Sequence, residues 1–514
     1  MTAPEADPET TRSDTGLAHE SMSQAEVMAQ SVAGIAPSAV MATGPALIVL
    51  YAGQGAWLSY LAATVVVVLV GLCVAQFGRR FASSGSLYSY VARGLGPTGA
   101  FAAGWGLVIG YTCIAMVGVV GTGVYLGNFL DTIGLPATST AGVIVLFIVA
   151  VVGAAAFAIA GIKISTRLGL VLEVVSVTAV LVVLVVALAN NGITSGSSQF
   201  QLDGLTFDGV TFGIVLAVLG FVGFESAASL GAEARNPHRT IPRAVIGSAV
   251  LVGVLYVFAT YASVVGFGGP ETLGESAAPI SDLADSNGLG GVRWIVDLGV
   301  TASFFAVIIA SINAASRVLY TMGEEDVLPA ALGRAHRRYK TPHVAIALIA
   351  PVVGLVPVLM VATGTTPFNV YAYTGTLGTF GYMLAYLLMA AALPFFLHRR
   401  GEGNAGSTVL AVVVVAALLY VFYKNVVPVP PAPFNLLPWI FLGALVVGLA
   451  WYFTVRLRRP EVVGEIGTVE EEPVPPGSAP VSRSGLGHPP GRTPGPDELP
   501  GPRARADDQA DRQA

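Results

Sequence analysis

Residues 219–243 read LGFVGFESAASLGAEARNPHRTIPR and interrupt a long apolar stretch of the chain. Two glycines and a carboxylate, Gly220, Gly223 and Glu225, stand inside what is otherwise a membrane-spanning segment. Glycine weakens helix continuity, and an ionisable group within hydrocarbon is costly and usually functional. The basic run that follows indicates that the segment leaves the membrane on the cytoplasmic side. We therefore expect a broken transmembrane helix, of the kind that places a substrate site near the bilayer midplane.

The composition is that of a polytopic α-helical membrane protein. Of 514 residues, 54% are hydrophobic and only 11% are charged, and the mean hydropathy is +0.72. A soluble domain is far less apolar. Apolar stretches that can cross about 30 Å of hydrocarbon recur along the chain. They predict about twelve spans, near residues 27–51, 57–77, 100–124, 143–162, 168–188, 210–230, 244–266, 294–322, 344–362, 370–397, 409–427 and 436–457.

The distribution of lysine and arginine predicts the orientation of the chain. With the N-terminus placed in the cytoplasm, 18 of these residues fall on the cytoplasmic side and two, Arg293 and Lys424, on the outer side, while six lie in the tails. Cytoplasmic loops carry an excess of basic residues. We therefore expect a multi-pass protein of the cytoplasmic (plasma) membrane with both termini cytoplasmic.

The two ends of the chain differ in composition from its centre. Residues 1–22 are polar and acidic and lack the layout of a cleavable signal peptide. Residues 459–514 are rich in Pro, Gly, Glu and Arg. Neither segment can bury enough apolar surface to fold, so both are predicted to be disordered cytoplasmic tails. A regulatory role for the C-terminal tail remains an open alternative to a plain solvated extension.

A second helix breaker lies in the first span, where residues 33–37 read AGIAP. Five spans separate this position from the break at Gly220 and Gly223, which predicts a five-plus-five inverted repeat. A broken helix leaves backbone N–H groups that can bind a carboxylate and carbonyl groups that can bind an ammonium. A zwitterionic α-amino acid satisfies both. The alternative is that the two glycines only permit tight helix packing.

Three groups of residues resemble the signatures of the amino acid–polyamine–organocation (APC) permeases. They are GFVGFES with EARNPHRTIPRA (220–226 and 233–244), SGSLYSYVARGLG followed by Gly104 and Trp105 (84–96), and NAASRVLYTM followed by Leu328-Pro329 and Thr341-Pro342 (313–322). The resemblance covers roughly residues 25–455. It implies a LeuT-like fold, with a ten-helix transport core at 23–398 and two peripheral helices at 399–458.

The resemblance also implies that unwound backbone in spans 1 and 6 holds the substrate during alternating access. The positions that it assigns to the substrate site are Ala33, Gly34, Ile35, Phe221, Val222 and Phe224, and the helix breaks themselves add Ala36 and Gly220. Tyr111 of span 3 is a further candidate for the cavity. Phe221 and Phe224 either stack on the substrate or pack in the core, and both roles stay open.

Coupling and gating candidates follow from the same comparison. Many relatives place a lysine in span 5, but the matching position here is Ser176 and the span contains no lysine. Glu173, on about the same helix face, either carries a proton or makes a structural hydrogen bond or ion pair, for example with Arg167. Glu225 either binds a cationic substrate, titrates, or braces span 6. Glu233 is predicted to form a gate or loop ion pair, and Asn313 to bind the substrate or a cation or to join helices.

Other classes of protein fit less well. A major facilitator would carry a longer motif after span 2, of which only the basic end is present. The six histidines lie in loops or tails, so neither a metal site nor an intramembrane catalytic site is expected. We therefore predict a secondary active transporter, not an enzyme, that imports an amino acid or related amine with protons. Exchange, polyamine transport and amino acid sensing remain alternatives. The expected partners are a small-molecule substrate and the lipid bilayer, with no nucleic acid, cofactor or partner subunit.

Overall fold

The computed structural model describes residues 23–80, 86–161, 166–192, 199–200, 206–230, 234–464 and 466. All of them belong to one compact unit of the chain, residues 1–472. The regular elements among these residues are helices throughout. The predicted all-α class is therefore confirmed.

The first six spans contain seven α-helices. Span 1 consists of α1 (Gln24–Ile35) and α2 (Pro37–Ala52), and span 2 is α3 (Ala56–Gly78). Spans 3, 4 and 5 are α4 (Ser86–Thr132), α5 (Thr140–Ala160) and α6 (Thr166–Asn191). Span 6 consists of α7 (Phe207–Leu219) and a 3-10 helix (Phe224–Leu230).

The second half follows the same plan. Span 7 is α8 (Pro237–Gly266), and two short helices, α9 (Pro270–Gly274) and α10 (Pro279–Ser286), follow it. Spans 8, 9 and 10 are α11 (Gly290–Glu324), α12 (His343–Ala362) and α13 (Pro367–Arg399). Spans 11 and 12 are α14 (Ala405–Lys424) and α15 (Leu437–Arg458), and α16 (Pro460–Gly464) ends the described helices.

The helix count agrees with the predicted twelve spans. In the described residues, ten stretches are long and apolar enough to cross a membrane. One of them, Pro37–Gly78, contains both the second half of span 1 and span 2. Span 6 is absent from the ten because α7, at 13 residues, is too short. It is short because the helix breaks where the glycines predict.

Local sequence sets several helix ends. The side chains of Ser139, Thr366 and Asn404 cap α5, α13 and α14 by accepting a backbone N–H of the first turn. Within α4, Gly96 has φ 75° and ψ −168°, so the helix bends there and the span proper begins at Pro97. Proline suits a first helical position because its φ is fixed and it has no N–H to satisfy.

The helix contacts repeat after five spans. Spans 2 and 7, 3 and 8, and 4 and 9 pack on each other, and spans 1 and 6 meet at the centre. The contact of span 3 with span 10 matches that of span 8 with span 5, and the contact of span 1 with span 7 matches that of span 6 with span 2. Because five is odd, the second set of five enters the membrane from the opposite face. This is the predicted inverted repeat, and spans 11 and 12 pack on its outside against span 10.

Small residues allow the closest packing in the bundle. Gly106 and Gly110 of span 3 face Gly378 and Gly381 of span 10, and a side chain at Gly381 would collide with the Gly106 carbonyl group. Small residues at such an interface let two helix backbones approach within a membrane. We call the end of the bundle that carries Arg80 and Arg399 the basic end.

Candidate functional site

The break in span 1 occurs at a single residue. α1 ends at Ile35, Ala36 adopts the left-handed conformation (φ 54°, ψ 59°), and α2 begins at Pro37. Proline disfavours a helical conformation in the residue before it. The backbone N–H of Ser38, in the first turn of α2, donates to Oε1 of Glu173 in span 5 at 2.9 Å. The positive end of α2 therefore already holds one carboxylate of the protein.

The break in span 6 is longer. α7 ends at Leu219, residues 220–223 form successive turns, and the chain resumes as a 3-10 helix at Phe224. The hydroxyl of Tyr256 in span 7 donates to the carbonyl oxygen of Gly220 at 2.7 Å. One of the carbonyl groups freed by the break is thus satisfied by a side chain.

The two breaks touch each other. A Cβ atom on Gly223 would lie 2.5 Å from the carbonyl oxygen of Gly34, and a Cβ atom on Gly34 would lie 2.9 Å from Oγ of Ser226. Gly223 also has φ 101°, which side-chain-bearing residues rarely adopt. The hydroxyl of Ser31 in α1 donates to the Phe224 carbonyl oxygen at 2.8 Å. Glycine at both positions is what permits the contact between the breaks.

A cavity of about 380 Å³ lies beside the two breaks. Five of the predicted substrate residues line it, namely Gly34, Ile35, Ala36, Tyr111 and Val222, and so does Asn313 of the coupling candidates. The remaining walls are mostly apolar and come from spans 3, 6, 8 and 10, with Ile114, Val117, Leu219, Phe304, Val307, Tyr371 and Tyr382 among them.

Other predicted site residues either do not line this cavity or lie outside the described part of the chain. Phe221 is buried and packs edge-on against Tyr256, with ring centroids 5.2 Å apart, and Phe224 packs in the same way against Tyr386 at 5.7 Å. Gly220 is likewise absent from the described lining. Ala33 lies in the last turn of α1, but its side chain is outside the described part of the chain. Glu233 lies outside the described residues altogether.

Glu225 is enclosed behind the cavity wall. Its Oε2 atom accepts hydrogen bonds from the Tyr386 hydroxyl at 2.8 Å and from the Gly223 N–H at 3.2 Å. Oε1 has no hydrogen-bond partner among the described residues. Tyr111 and Tyr382 line the cavity and stand edge to face, 5.1 Å apart. In this conformation Glu225 braces the second break rather than lining the cavity.

Glu173 is the centre of a polar cluster beside the first break. It is 7% exposed and bonds the Ser38 N–H. The hydroxyls of Ser38 and Ser303 lie beside the same carboxylate without completing a hydrogen bond. Ser176 is buried against Gly299 of span 8, and its hydroxyl also has no partner in the described residues. The side chains of Ser38, Glu173 and Ser303, from spans 1, 5 and 8, thus lie together, and Ser176 lies one helical turn along span 5 from Glu173. The side chain of Arg167, the alternative partner of Glu173, is not among those described.

The two ends of the cavity differ. Towards the basic end the cavity extends to Arg317, an exposed residue and the only charged one among the described lining residues. Towards the opposite end Phe304 packs against Tyr371 and Tyr125, and the Thr43 hydroxyl donates to the Tyr371 hydroxyl at 3.1 Å. The cavity is therefore closed by aromatic rings at one end and extends to the basic end at the other.

Arg317, Phe304 and Tyr371 are among the lining residues that sequence reasoning missed. Arg317 belongs to the NAASRVLYTM motif, so its sequence context could have pointed to it. Phe304 and Tyr371 carry no such signal, because aromatic residues in membrane spans serve many packing roles.

Comparison with known proteins agrees with this arrangement. The sequence model described as amino acid permease matches residues 23–450. The chain belongs to the amino acid permease family. The motif resemblance to APC permeases is therefore confirmed, and the protein is a multi-pass membrane permease for small molecules rather than an enzyme.

Similar proteins include bacterial permeases and an exchanger. The branched-chain amino acid permease BcaP of Bacillus subtilis is 25% identical over 429 residues, which are 80% of this chain and 88% of that protein. BcaP of Lactococcus lactis is 26% identical over 369 residues, 68% of this chain and 76% of that protein. The serine/threonine exchanger SteT of B. subtilis is 24% identical over 314 residues, 59% of this chain and 68% of that protein.

Proposed function

We propose that this permease imports a small α-amino acid with an apolar side chain across the cytoplasmic membrane by alternating access. The observation that carries the proposal is the chemistry of the cavity. Backbone of both helix breaks lines it, its other walls are mostly apolar, and Arg317 is the only charged residue in its described lining. Such a cavity matches a ligand that has two charged groups, which the backbone can bind, and an apolar side chain.

Each part of an α-amino acid has a counterpart in the cavity. The carboxylate suits the positive end of α2 beside Gly34 and Ala36. The ammonium suits the backbone carbonyl groups near Val222 and Gly223, because broken helices bind ions through freed carbonyls. The side chain then faces the apolar group formed by Ile114, Val117 and Phe304. The branched-chain specificity named for the BcaP permeases agrees with such a subsite.

A polyamine fits the same cavity poorly. Glu225, the acid expected to bind a second cation, is 1% exposed and lies behind the described lining. A polycation that approached from the basic end would also meet Arg317, and like charges repel. Exchange has separate support, because SteT is named as an exchanger. Sensing without transport is the alternative from another class of function.

For the coupling step we favour the proton and assign it to Glu173. The ionised carboxylate makes a charge-assisted hydrogen bond to the Ser38 N–H. Protonation weakens this bond and so changes how firmly α2 is held to span 5. The excess of lysine and arginine on one side supports two cytoplasmic termini. The basic end is then cytoplasmic, and the cavity is in contact with the cytoplasm.

The substrate assignment is tested by uptake into proteoliposomes made with the purified permease. We expect leucine, isoleucine and valine to compete for uptake of labelled leucine, and lysine and putrescine to have no effect. Uptake that requires internal amino acid would identify an exchanger. Binding without flux would identify a sensor. Competition by putrescine, or no competition by any amino acid, would contradict the proposed substrate class.

The coupling assignment is tested separately with Glu173→Gln, which keeps an acceptor for Ser38 but cannot ionise. We expect this variant to retain counterflow of leucine and to lose accumulation driven by a pH gradient. Glu324→Gln, in an exposed acid bonded to Tyr320, is the matched control and should accumulate normally. Accumulation that follows a sodium gradient, or that persists in Glu173→Gln, would show that Glu173 is not the proton carrier.

A further inference from the structure

A second cavity, of about 590 Å³, lies on the outside of the bundle near its basic end. We call it the lateral groove. Its walls come from spans 3, 8, 9 and 12 and from the segment that follows α11, with Phe101, Trp105, Leu319, Leu328, Ile349 and Trp451 as examples. The groove runs between α12 and α15. α15 packs on α4 and α13, while α12 packs on α4, α5 and α11.

The described lining of the groove offers no free polar side chain to a ligand. Its lining contains three side chains with hydrogen-bond donors, Trp105, Trp451 and Thr112. The Trp105 indole N–H donates to the Ala444 carbonyl oxygen at 3.0 Å, and that of Trp451 to the Val327 carbonyl oxygen at 2.9 Å. The Thr112 hydroxyl donates to the backbone of its own helix at 2.7 Å. Apolar cavities of this kind exclude water and bind hydrocarbon.

The opening of the groove admits a chain from the surrounding lipid. The rim residues Leu348, Val352, Val447 and Trp451 are 55%, 44%, 68% and 47% exposed, respectively. They open the groove sideways, towards the space that lipid occupies around a membrane protein. A hydrocarbon chain can therefore enter the groove from the side.

Positive charge lies at the basic end of the groove. Arg456 of α15 is exposed and donates one hydrogen bond, at 3.2 Å, to Oγ1 of Thr98. Thr98 lies one helical turn before Phe101, which lines the groove, and also bonds the Tyr452 hydroxyl at 2.9 Å. A guanidinium has five donors, and Arg456 uses one of them among the described residues, so four remain for an anion. Exposed Arg334 follows the lining residue Leu332 by two positions.

We propose that the lateral groove binds one acyl chain of an anionic phospholipid, whose headgroup is held by Arg456. The leaflet is that of the basic end. Basic residues beside a membrane span attract anionic headgroups, and the dry groove accepts the chain. The proposal is independent of which substrate the permease carries.

The groove shares its walls with the transport cavity. On α4, Leu107 and Tyr111 line the cavity while Val108 and Thr112 line the groove. On α11, Val318 lines the cavity and Leu319 the groove. A lipid in the groove that binds the open and closed states unequally shifts the balance between them. We expect anionic lipid to change the transport rate for this reason.

The test is fluorescence quenching by phospholipids with brominated acyl chains. A variant that keeps Trp105 and carries Phe at the other four tryptophans is reconstituted into dibromo-phosphatidylglycerol or dibromo-phosphatidylcholine. We expect strong quenching of Trp105 by the anionic lipid and weaker quenching by the zwitterionic one. Arg456→Gln should lower the preference for anionic lipid about fivefold, the effect of one basic residue near the surface.

Two further variants separate groove binding from general lipid contact. Val352→Phe fills the groove and should remove most of the quenching of Trp105, whereas Val446→Phe, on the same lipid-exposed surface but outside the lining, should leave it unchanged. A protein that keeps only Trp439, which is 60% exposed, reports ordinary lipid contact.

Quenching of Trp439 without quenching of Trp105 would overturn the proposal, whether the groove is empty or covered by a second copy of the chain. Equal quenching of Trp105 by both lipids would overturn the headgroup assignment. If the variant with one tryptophan does not fold, Trp105→Phe in the otherwise native chain supplies the same measurement by difference.

Discussion

The two helix breaks occupy equivalent places in the two repeats and are built differently. Span 1 breaks at one left-handed residue, Ala36, and the α-helix resumes immediately at Pro37. Span 6 breaks over residues 220–223 and resumes as a 3-10 helix. A proline after the break enforces the sharp turn of span 1. Span 6 has glycine at both ends of its turn, which permits the extended break.

The groups that hold the breaks come from equivalent helices. Span 5 supplies Glu173, which accepts the Ser38 N–H of the first break. Span 10, its counterpart in the second repeat, supplies Tyr386, which donates to Glu225 of the second break. The first break thus depends on an acid of another helix, whereas the second carries its own acid. A change in the charge of Glu173 therefore alters a contact between two helices, while Glu225 acts mainly within span 6.

The largest expected effect concerns the contact between the breaks. Gly223→Ala places a Cβ atom 2.5 Å from the Gly34 carbonyl oxygen at a backbone φ of 101°. Strain of this kind and a backbone collision together should cost about 3 kcal/mol or more. We expect a large fall in melting temperature in detergent and loss of uptake.

Gly443→Ala is the matched control for this change. Gly443 lies within α15, and a Cβ atom there would meet nothing within 4 Å. Alanine is the better helix former by about 1 kcal/mol, so this variant should be as stable as the native protein or slightly more stable. A Gly223→Ala protein that melts and transports like the native one would show that the breaks do not need their close contact.

The next effect concerns the brace of the second break. Tyr386→Phe removes the donor to Glu225 and leaves a buried carboxylate with one hydrogen bond fewer. The expected loss of stability is about 1–3 kcal/mol. Tyr320→Phe removes an equivalent bond to the exposed Glu324 and should change stability by at most about 0.5 kcal/mol. Equal effects of the two changes on the melting temperature would argue against a brace at Glu225.

The brace of the first break should contribute less to stability than that of the second, because it satisfies a single backbone N–H. Glu173→Ala leaves the Ser38 N–H without its partner, at a cost of about 1 kcal/mol, as for a lost helix cap. Glu173→Gln keeps an acceptor and should lose less. Thermal melting of the two variants side by side measures the difference. A glutamine variant less stable than the alanine variant would contradict the capping role.

The fold could be predicted from the sequence because the residues that determine it act locally. Glycine and proline at residues 34, 37, 220 and 223 act on their own backbone, and both breaks occur where these residues predict them. Spans are read from apolar length, and their five-span offset indicates the repeat. The bend at Gly96, ahead of Pro97, is a feature that span length did not predict.

The site could be predicted from the sequence only in part, because residues that bond to each other there are distant in sequence. Ser38 and Glu173 are 135 positions apart, and Glu225 and Tyr386 are 161 apart, so no local pattern joins them. Phe221 is next to the break, but adjacency does not determine which way a ring points. Its ring packs on Tyr256 instead of lining the cavity.

A smaller effect is expected at the mouth of the cavity. Arg317→Gln removes the only charged residue among the described lining residues of the cavity. Two unit charges about 4 Å apart in water interact by about 1 kcal/mol, so a substrate carboxylate that passes Arg317 gains at most this much, and binding of an amino acid from the basic end should weaken by at most about fivefold. The difference from the native protein should shrink as salt rises. Arg239→Gln, an exposed arginine outside the cavity, is the control, and an equal loss of affinity there would indicate a general surface effect.

The smallest effect concerns an exposed acid, in contrast to the buried acids at the breaks. A hydrogen bond from Arg80 holds the pKa of the Glu402 carboxyl below its usual value, and Arg400 adds to the effect. This pair joins the end of span 2 to the segment after span 10. A lowered pKa in the folded state stabilises the protein above the pKa of the unfolded state, and the contribution disappears as the pH falls through the folded value.

The unfolded value for glutamate is about 4.3, so the effect of Glu402→Gln should be present at neutral pH, decline below about pH 4.3 and vanish as the pH falls through the lower folded value. Melting curves of the variant and the native permease should therefore differ slightly at neutral pH and converge on acidification. Glu461→Gln, in an exposed acid on α16, is the control for the loss of an exposed carboxylate as such. If the melting curves of Glu402→Gln and the native permease diverge rather than converge in acid, the carboxylate is not stabilised by Arg80. The link between spans 2 and 10 then contributes through packing alone.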